Sequence, residues 1–404
     1  MPKGAFEGVN IVEFVVAVAG PLIVKYLADQ GATVVRIESA TRPDTHRLAL
    51  PYKNDKPGMN LSGGFATFHI NRHSLSLNLK HPRAKPVIER LVRWADIVLE
   101  NFSPGSMEKL GLGYDDLKEI NPSIIMIRAS IQGQTGPHSS QPGYGQQAAA
   151  LTGHMALLGW PDRAPAIPFD GMTDFILPRY GAATLIAALD YRRRTGKGQY
   201  LDISQFETAI QFLAPLILDY NVNSREMTRM GNSCPYCCPH GAYPCQGEDR
   251  WCAITVSNDG EWEAFCRVLG NPGWTKEPRF TTLLGRKEDE DELDRLVAEW
   301  TVIFPAEQVM SMMQAAGVPA GVIQSPLDLL EDPQLSLREQ FWRMTHVELG
   351  EYQHFGQPFK LSKSAAQPRL TSPCLGEHTE YVCTKLLGMN DEEFVELLTT
   401  GVLE

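Results

Sequence analysis

The segment Asn10-Ile-Val-Glu-Phe-Val15, continued by Pro21-Leu-Ile-Val-Lys-Tyr-Leu-Ala28 and Thr33-Val-Val-Arg-Ile-Glu38, decides the fold of this chain. Its first and last parts are short apolar runs typical of buried strands, and its middle part predicts a helix that ends near Gly31. The alternation continues with a predicted helix over residues 82–95 and predicted strands over 97–100 and 124–128. This order predicts an α/β fold in which helices cover both faces of a parallel sheet.

The loops that follow the predicted strands form the candidate site, because open α/β sheets bind ligands at the carboxyl ends of their strands. These loops cover residues 16–21, 38–45, 100–105 and 129–137. Cations are concentrated in or near them: Arg36, Arg42, Arg47, Arg72, His73, Lys80, Lys109 and Arg128. Surface Arg and Lys are common, so we expect only a subset of them to converge on an anion.

The composition sets limits on function. The 404 residues carry a formal net charge of −11, which argues against nucleic-acid and anionic-membrane partners. A polyanionic ligand would therefore need a local basic pocket. The first residues lack a charged stretch followed by an apolar one, and no apolar run is long enough for a membrane span, so we expect a cytoplasmic protein.

The composition changes at about residue 225, where Cys, Pro and Gly become frequent. We predict a large domain over 1–224, a smaller domain over 225–325, and a return segment over 326–404 that completes the large domain. The eight cysteines include Cys234, Cys237 and Cys238, which with His240 would suit a zinc site. The two well-separated pairs of a structural zinc site are missing, so we predict no metal and reduced thiols.

The run Asp174-Phe-Ile-Leu-Pro-Arg-Tyr-Gly181 precedes an uncharged apolar stretch over 182–189. Because Pro178 suits a first helical turn, we predict a helix that starts just after Asp174 and is packed on both sides. A partly desolvated carboxylate there would have a raised pKa and could attack a thioester. The alternative is an aspartate that caps the helix N-terminus.

Several short motifs, in a specific order along nearly the whole chain, resemble those of the family III CoA-transferases. They are Ala19-Gly-Pro21, Leu27-Ala-Asp through Arg36-Ile-Glu38, Asn71-Arg-His through Asn78-Leu-Lys80, Glu100-Asn-Phe-Ser-Pro-Gly105, Leu110-Gly-Leu-Gly-Tyr114, Asn121-Pro, Gly133-Gln-Thr-Gly-Pro137 and Thr195-Gly-Lys-Gly-Gln199. The resemblance implies two interlocked subunits, each with a large Rossmann-like parallel-sheet domain split by a smaller α+β domain.

The resemblance also implies roles for individual residues. Asp174 stands 15 residues before Leu189 of Ala187-Ala-Leu189, as the family's catalytic aspartate does. The family's CoA-binding positions correspond to Val16, Ala17, Ala19, Asn101, Phe102 and Lys109. Arg36 and Arg72 are added as candidate CoA-binding cations, since phosphates need Arg or Lys.

The chain departs from parts of the family at specific positions. The loop glutamine of the formyl-CoA enzymes is Val18 here, and the arginine after the second strand is Ser39. The racemases of this fold use a Gly-His-Asp segment where this chain has Gly143-Tyr-Gly145, which disfavours proton transfer. Residues 231–251 look closer to the benzylsuccinate and mesaconate CoA-transferases.

We therefore predict a CoA-transferase that moves CoA from a donor such as succinyl-CoA to a substituted dicarboxylic acid through an aspartyl-CoA thioester. No permanently bound cofactor is expected, and CoA thioesters are substrates. Alternatives are an intramolecular CoA transferase, a racemase-like enzyme, or a non-catalytic CoA-binding subunit of a heteromer. The partner would be a second copy or a related subunit. Aromatic and thioether side chains suggest an acceptor pocket for a bulky acid, or else part of the core: Phe169, Met172, Phe175, Tyr180 and Tyr236.

Overall fold

The parallel sheet of the computed structural model, which describes residues 4–168 and 171–404, contains six strands. They are β1 (Asn10–Phe14), β2 (Thr33–Glu38), β3 (His73–Ser76), β4 (Ile97–Glu100), β5 (Ile125–Ser130) and β6 (Tyr200–Ser204). The strand order is β3-β2-β1-β4-β5-β6, and all neighbours are parallel. The order reverses between β1 and β4, and this reversal opens a crevice at the carboxyl ends of those two strands.

Two further sets of strands are antiparallel. The strands β7 (His240–Pro244), β8 (Trp251–Thr255) and β9 (Ala320–Val322) form one sheet, and β10 (Phe341–His346) pairs with β11 (Gly350–Phe355). The fold is therefore mixed α/β with a six-stranded parallel sheet, as predicted. The interlocked dimer stays a prediction.

Helices follow most of the strands of the parallel sheet. The helices up to residue 223 are α1 (Ala19–Asp29), α2 (Gly63–Phe68), α3 (Ala84–Trp94), α4 (Ser106–Lys109), α5 (Tyr114–Ile120), α6 (Gly145–Leu151), α7 (His154–Leu157), α8 (Met172–Thr195), α9 (Gln205–Ile210) and α10 (Ala214–Asn223). The later helices are α11 (Asp259–Val268), α12 (Leu283–Glu288), α13 (Glu290–Thr301), α14 (Ala306–Ala315), α15 (Pro326–Glu331), α16 (Pro333–Leu337), α17 (Thr379–Tyr381) and α18 (Asp391–Thr399).

Alternate residues of the central strands are buried on opposite faces of the parallel sheet. Val12 and Val98 lie in a core with side chains of α3 and α5, and Ile11 and Ile97 lie in a second core with α1 and α8. Both faces are therefore covered, which explains why these strands are apolar without a polar side.

The chain divides into two compact units. The first contains residues up to Met155, Ile167–Glu226 and Gln334–Glu404, and the second contains Ala156–Ala166 and Met227–Pro333. The second unit has its own core, in which Phe265, Phe280 and Val297 are buried among helices and the β7-β8-β9 sheet. We propose to equate these units with the large and small domains predicted over 1–224, 225–325 and 326–404.

The helix that carries Asp174 differs from the prediction. It begins at Met172, before Asp174, and continues through Pro178 to Thr195. One side of it is exposed in the single chain, because Tyr180 is 41% and Ile186 is 45% exposed, whereas Leu185 and Leu189 are buried. The predicted start after Asp174 was therefore wrong, and the predicted packing on both sides stays a prediction.

Within residues 4–168 and 171–404, no helix combines the length and the apolar composition that crossing a membrane requires.

Candidate active site

The loop between β1 and α1 is held in a defined shape by two side chains from other loops. Asn101 accepts from the Val16 backbone N–H at 2.8 Å and donates to the Val16 carbonyl at 2.8 Å. Asp44 Oδ1 accepts from the Ala17 N–H at 3.1 Å. Ala17 has a φ of 61°, a left-handed conformation that a residue with a side chain seldom adopts without such support.

A buried network of charges lies behind this loop. Asp44 pairs with Arg36, whose guanidinium also lies 3.6 Å from Glu13 and 3.4 Å from Glu38. Arg72 donates to the same Glu13 at 2.7 Å and to backbone carbonyls. The side chains of Arg36 and Arg72 are 1% and 0% exposed. The structure therefore does not bring these two predicted CoA-binding residues to the cleft; they neutralise buried carboxylates instead.

The network lowers the pKa of one of its carboxylates, Glu38. Burial by itself would raise the pKa of Glu38, but Arg36 and Arg47, with a hydrogen bond from Ser74, lower this pKa to about 2. Arg47 donates to Glu38 Oε2 at 2.7 Å. Glu38 is therefore ionised at any pH at which the protein would be assayed.

A cleft of about 130 Å³ opens at the carboxyl ends of β1, β4 and β5. Six of the predicted site residues line it together: Val16, Ala17, Ala19, Asn101, Phe102 and Asp174. Lys109 is exposed on α4 and does not line the cleft. Among the described residues, the lining contains no Lys, Arg or His, and Asp174 is its only carboxylate.

Asp174 lies in the first turn of α8, and its carboxylate is held from several directions. Gln205 Nε2 donates to Asp174 Oδ1 at 2.6 Å and to Thr173 Oγ1 at 2.8 Å. The Thr173 hydroxyl donates to the Gly145 carbonyl at 2.9 Å. A Cβ atom built on Gly145 would lie 2.6 Å from Asp174 Cγ and 2.7 Å from Gly171 Cα, so glycines form the remaining walls.

Asp174 is not itself the N-cap residue of α8. Gly171 occupies the N-cap position, and the Asp174 N–H donates to the Gly171 carbonyl at 2.7 Å. The Asp174 carboxylate faces the cleft and Gln205. A carboxylate in the first turn is also favoured by the helix dipole.

The sequence matches the family model of CoA-transferase family III over residues 6–379. The chain belongs to this family. It is an enzyme that transfers CoA.

Relatives and solved structures agree with the family assignment over the full length. The chain is 32% identical to the succinyl-CoA–D-citramalate CoA-transferase of Chloroflexus aurantiacus, covering 100% of this chain and 99% of that protein. It is 30% identical to the formyl-CoA:oxalate CoA-transferase of Streptomyces coelicolor, covering 100% of both. A CAIB/BAIF family protein from Brucella suis superimposes with a TM-score of 0.87 and 28% identity, covering 95% of this chain and 100% of that one.

A larger cleft of about 400 Å³ lies elsewhere in this CoA-transferase, next to the amino ends of the strands. It is lined by Val9, Asp96, Ser123 and Arg192, and Arg192 is already paired with Asp96 at 2.5 Å. None of the residues predicted for catalysis or CoA binding lines it. We therefore take the smaller cleft as the candidate active site, because it lies at the end of the sheet where α/β enzymes bind ligands.

The described residues of the predicted aromatic acceptor pocket do not line the cleft. Phe175 packs with Val18, Leu22 and Phe68 beside the β1–α1 loop. Met172 is half-buried, Tyr180 is exposed on α8, Tyr236 belongs to the second unit, and Phe169 lies outside the described residues. The acceptor pocket therefore stays a prediction.

The cysteines of the second unit are mostly buried thiols. Burial raises the pKa of Cys238 to about 12 and the pKa of Cys252 to about 11, so neither is poised as a thiolate. In the part of the chain that the structure describes, no three His, Cys, Asp or Glu side chains are grouped so that they could hold a metal ion.

Sequence reasoning missed the residues that complete the wall of the cleft. Gln205 and the segment from Ser139 to Tyr144 line it beside Asp174. The segment follows the Gly-Gln-Thr-Gly-Pro motif that ends at Pro137, so its place after β5 was a usable signal. Gln205 follows β6, a strand that was not predicted.

Proposed function

We propose that this enzyme moves CoA from succinyl-CoA to a substituted dicarboxylic acid, with Asp174 as the covalent carrier. The observation that carries the proposal is that Asp174 lines one cleft with five residues at the family's CoA-binding positions. The name of the Chloroflexus relative supports succinyl-CoA as donor and a branched hydroxy-diacid as acceptor.

The proposed reaction has two matching halves. Asp174 attacks the carbonyl carbon of the donor thioester, and CoA leaves as a thiolate to give a mixed anhydride. The thiolate then adds to the Asp174 carbonyl carbon and releases the donor acid, which leaves an aspartyl-CoA thioester. An acceptor carboxylate repeats these steps in reverse order. One carboxylate therefore serves both halves, and no net proton transfer is needed.

The cleft gives less support to the racemase-like alternative. Proton transfer at a carbon next to a thioester needs an acid and a base on its two faces. Among the described lining residues, Asp174 is the only carboxylate and no histidine is present. An intramolecular CoA transfer would use the same aspartate, so the products of the reaction distinguish it from exchange between two acids.

The test of the nucleophile compares Asp174→Ala with Asp190→Ala. Asp190 lies on the same helix and is exposed, paired only with Arg194 at 2.8 Å among the described contacts. Incubation with succinyl-CoA should add CoA to the wild type and to Asp190→Ala, in a form that hydroxylamine removes. Asp174→Ala should bind CoA, form no adduct and lose exchange.

Exchange by Asp174→Ala within tenfold of the wild type, about 1.4 kcal/mol of barrier, would contradict the assignment. Asp170, which lies outside the described residues, would then be the next candidate. A wild type that exchanged CoA but never formed an adduct would contradict the covalent route.

The acceptor proposal rests on the acceptor named for the Chloroflexus relative and on the apolar residue at position 18. Val18 stands where the formyl-CoA enzymes have glutamine, and it packs with Leu22, Phe68 and Phe175. Val18 offers no hydrogen bond to a small polar acid such as oxalate, and burial of an apolar substituent would favour a bulkier acid. We expect a substituted succinate to be used at least roughly tenfold better than oxalate in kcat/KM, equivalent to about 1.4 kcal/mol. Equal kcat/KM values would contradict the bulky-acid assignment and leave the role of Asp174 intact.

We also propose that the enzyme works as a homodimer or as a heteromer with a related subunit. The helix α10 has no buried residue in the single chain. Ile217, Leu218, Tyr220 and Val222 on it are each at least 48% exposed. Exposed apolar side chains on one helix are typical of a subunit interface. Light scattering of the purified protein, alone and after co-expression with a related chain, separates the two assemblies.

A further inference from the structure

Gln205 is fixed at the point where the last strand of the parallel sheet ends. It is the first residue of α9, and Ser204 before it accepts from the Glu207 N–H at 3.1 Å and donates to the Ile131 carbonyl at 3.1 Å. The Phe206 N–H donates to the same carbonyl at 2.8 Å. Gln205 itself is only 5% exposed. Its backbone is therefore anchored on both sides, and its side chain has little freedom.

The hydrogen bonds around Gln205 also determine which way its amide points. Thr173 donates its hydroxyl proton to the Gly145 carbonyl, so toward Gln205 its oxygen can only accept. The Asp174 carboxylate is likewise an acceptor. An amide turned the other way would point its oxygen at two acceptors, so the nitrogen must face Thr173 and Asp174.

The two oxygens of Asp174 consequently lie in different surroundings. Oδ1 receives the amide N–H of Gln205 at 2.6 Å. The other oxygen lies on the side of Gly145 and Gly171, where a methyl group on either glycine would crowd the carboxylate. Gln205 thus distinguishes one oxygen from the other.

We propose that Gln205 is a catalytic residue that stabilises the negative charge on Oδ1 whenever a nucleophile adds to the Asp174 carbonyl carbon. This inference rests on the proposed covalent function of Asp174. Oδ2 forms the bond to the acyl carbon of the donor while the carbon–sulfur bond breaks and the thiolate leaves with the electron pair. The thiolate then adds to Asp174 Cγ, and the carbonyl electrons move onto Oδ1, to which the Gln205 N–H donates a hydrogen bond.

The tetrahedral adduct collapses when the bond from Cγ to the former Oδ2 breaks, so that the donor acid leaves with that oxygen. In the second half the acceptor carboxylate adds to Cγ, Oδ1 again carries the charge, and the thiolate is expelled. The thiolate then adds to the acyl carbon of the acceptor, and the Asp174 carboxylate leaves, which forms the new thioester and restores the enzyme. Charge is conserved at each step: one anion enters and one anion leaves. Gln205 therefore acts twice per turnover, on the same oxygen.

A hydrogen-bond donor to an oxyanion stabilises the transition state more than it strengthens substrate binding. Removal of one oxyanion donor lowers kcat by roughly 100- to 1000-fold in other enzymes. Gln205→Leu keeps the size of the side chain and removes both N–H groups. We expect kcat to fall by roughly 100-fold or more, with KM for succinyl-CoA within about threefold of the wild type.

The matched control is Gln211→Leu. Gln211 directly follows α9, is exposed, and donates only to the Glu207 carbonyl at 3.3 Å among the described contacts. Its kcat should equal that of the wild type. Thermal unfolding of both variants shows whether Gln205→Leu remains folded at the assay temperature.

A second variant, Gln205→Glu, keeps the shape and makes the donor depend on pH. The introduced carboxylic acid can donate to Asp174 only while it is protonated, and two carboxyl groups this close share one proton. The kcat of this variant should therefore fall as pH rises from about 5 to about 8, whereas the wild-type kcat should change less over that range. A purely structural role predicts parallel pH profiles.

The outcomes separate this inference from the proposed function. If the wild type forms no CoA adduct on Asp174, the covalent function itself is wrong. If the adduct forms and folded Gln205→Leu keeps kcat within threefold of the wild type, Gln205 is not the donor. If the adduct forms, kcat falls with KM unchanged, and Gln205→Glu acquires the new pH dependence, the assignment is supported.

Discussion

Replacing Gly145 by Ala would displace the carboxylate of Asp174 without removing any of its hydrogen-bonding groups. Gly145 is the first residue of α6, and its φ is not in the left-handed region, so alanine fits the backbone. The added methyl carbon would lie 2.6 Å from Asp174 Cγ and 2.7 Å from Gly171 Cα. Ordinary contact between such atoms begins at 3.4 Å. The carboxylate or the Gly171 backbone must therefore retreat by roughly 1 Å.

A displacement of that size has a large effect on a covalent reaction. Misplacing a reacting group by about 1 Å costs about 100-fold in rate, or roughly 2.7 kcal/mol of activation free energy. We therefore expect kcat of Gly145→Ala to fall by about 100-fold. KM for succinyl-CoA should change little, because Asn101 and the β1–α1 loop are not touched. The assay is exchange between succinyl-CoA and a substituted succinate, followed by chromatography of the CoA thioesters.

Gly273→Ala provides the control for the same chemical change. Gly273 also begins a short helical segment, and nothing lies within 4 Å of a Cβ built on it. Its kcat should match that of the wild type. If folded Gly145→Ala kept kcat within threefold of the wild type, the glycine walls would not constrain Asp174 and the reasoning would be refuted.

Three further predictions concern other parts of the molecule. Asn101→Ala removes both hydrogen bonds to Val16 and should raise KM for succinyl-CoA roughly tenfold, about 1.4 kcal/mol, with a smaller change in kcat. An unchanged KM would show that these two hydrogen bonds do not support CoA binding. The pKa of Glu38, about 2, lies below its ordinary value of 4.5, so its stabilising contribution is complete above 4.5 and is lost as pH falls toward 2. Between about pH 5.5 and about pH 3.5 the advantage of the wild type over Glu38→Gln in urea unfolding should shrink by about 1.4 kcal/mol, and a constant difference would contradict this. Replacing Cys234 and Cys237 by Ser should leave turnover largely intact, and elemental analysis should find no stoichiometric zinc; one zinc per chain would overturn that view.

The parallel sheet was predictable because its strands are buried on both faces. Strands of this kind appear in the sequence as short apolar runs, and the observed β1, β2 and β4 lie within the predicted ranges. The strand β6 was missed because Tyr200 and Asp202 on it are exposed, which leaves no apolar run to recognise. Gln205 was missed with it, since a side chain 31 residues away from Asp174 is brought close only by that strand.

The start of α8 was misplaced because a proline was taken as the mark of a first turn. Pro178 is buried within the helix, and the helix continues because its inner side packs closely on α1. A Cβ atom built on Gly181 would lie 2.9 Å from the Ile23 side chain. The helices α1 and α8 therefore approach so closely at this position that glycine fits best. Packing of this kind can offset the loss of one backbone hydrogen bond, and local sequence does not reveal it.

The buried position of Arg36 could have been predicted from the sequence. Glu13 and Arg36 lie in the middle of two apolar strands, and the register of β1 and β2 places them side by side. A charged residue inside a buried strand requires a partner of opposite charge. The sequence could therefore have predicted a buried ion pair between Glu13 and Arg36. Arg36 also pairs with Asp44, and Asp44 accepts a hydrogen bond from the Ala17 N–H. This buried cation therefore helps to fix the conformation of the β1–α1 loop. The contribution of Arg36 to CoA binding would then be indirect, through the conformation of Ala17. The phosphates of CoA would have to bind exposed cations such as Lys109 or residues of another subunit.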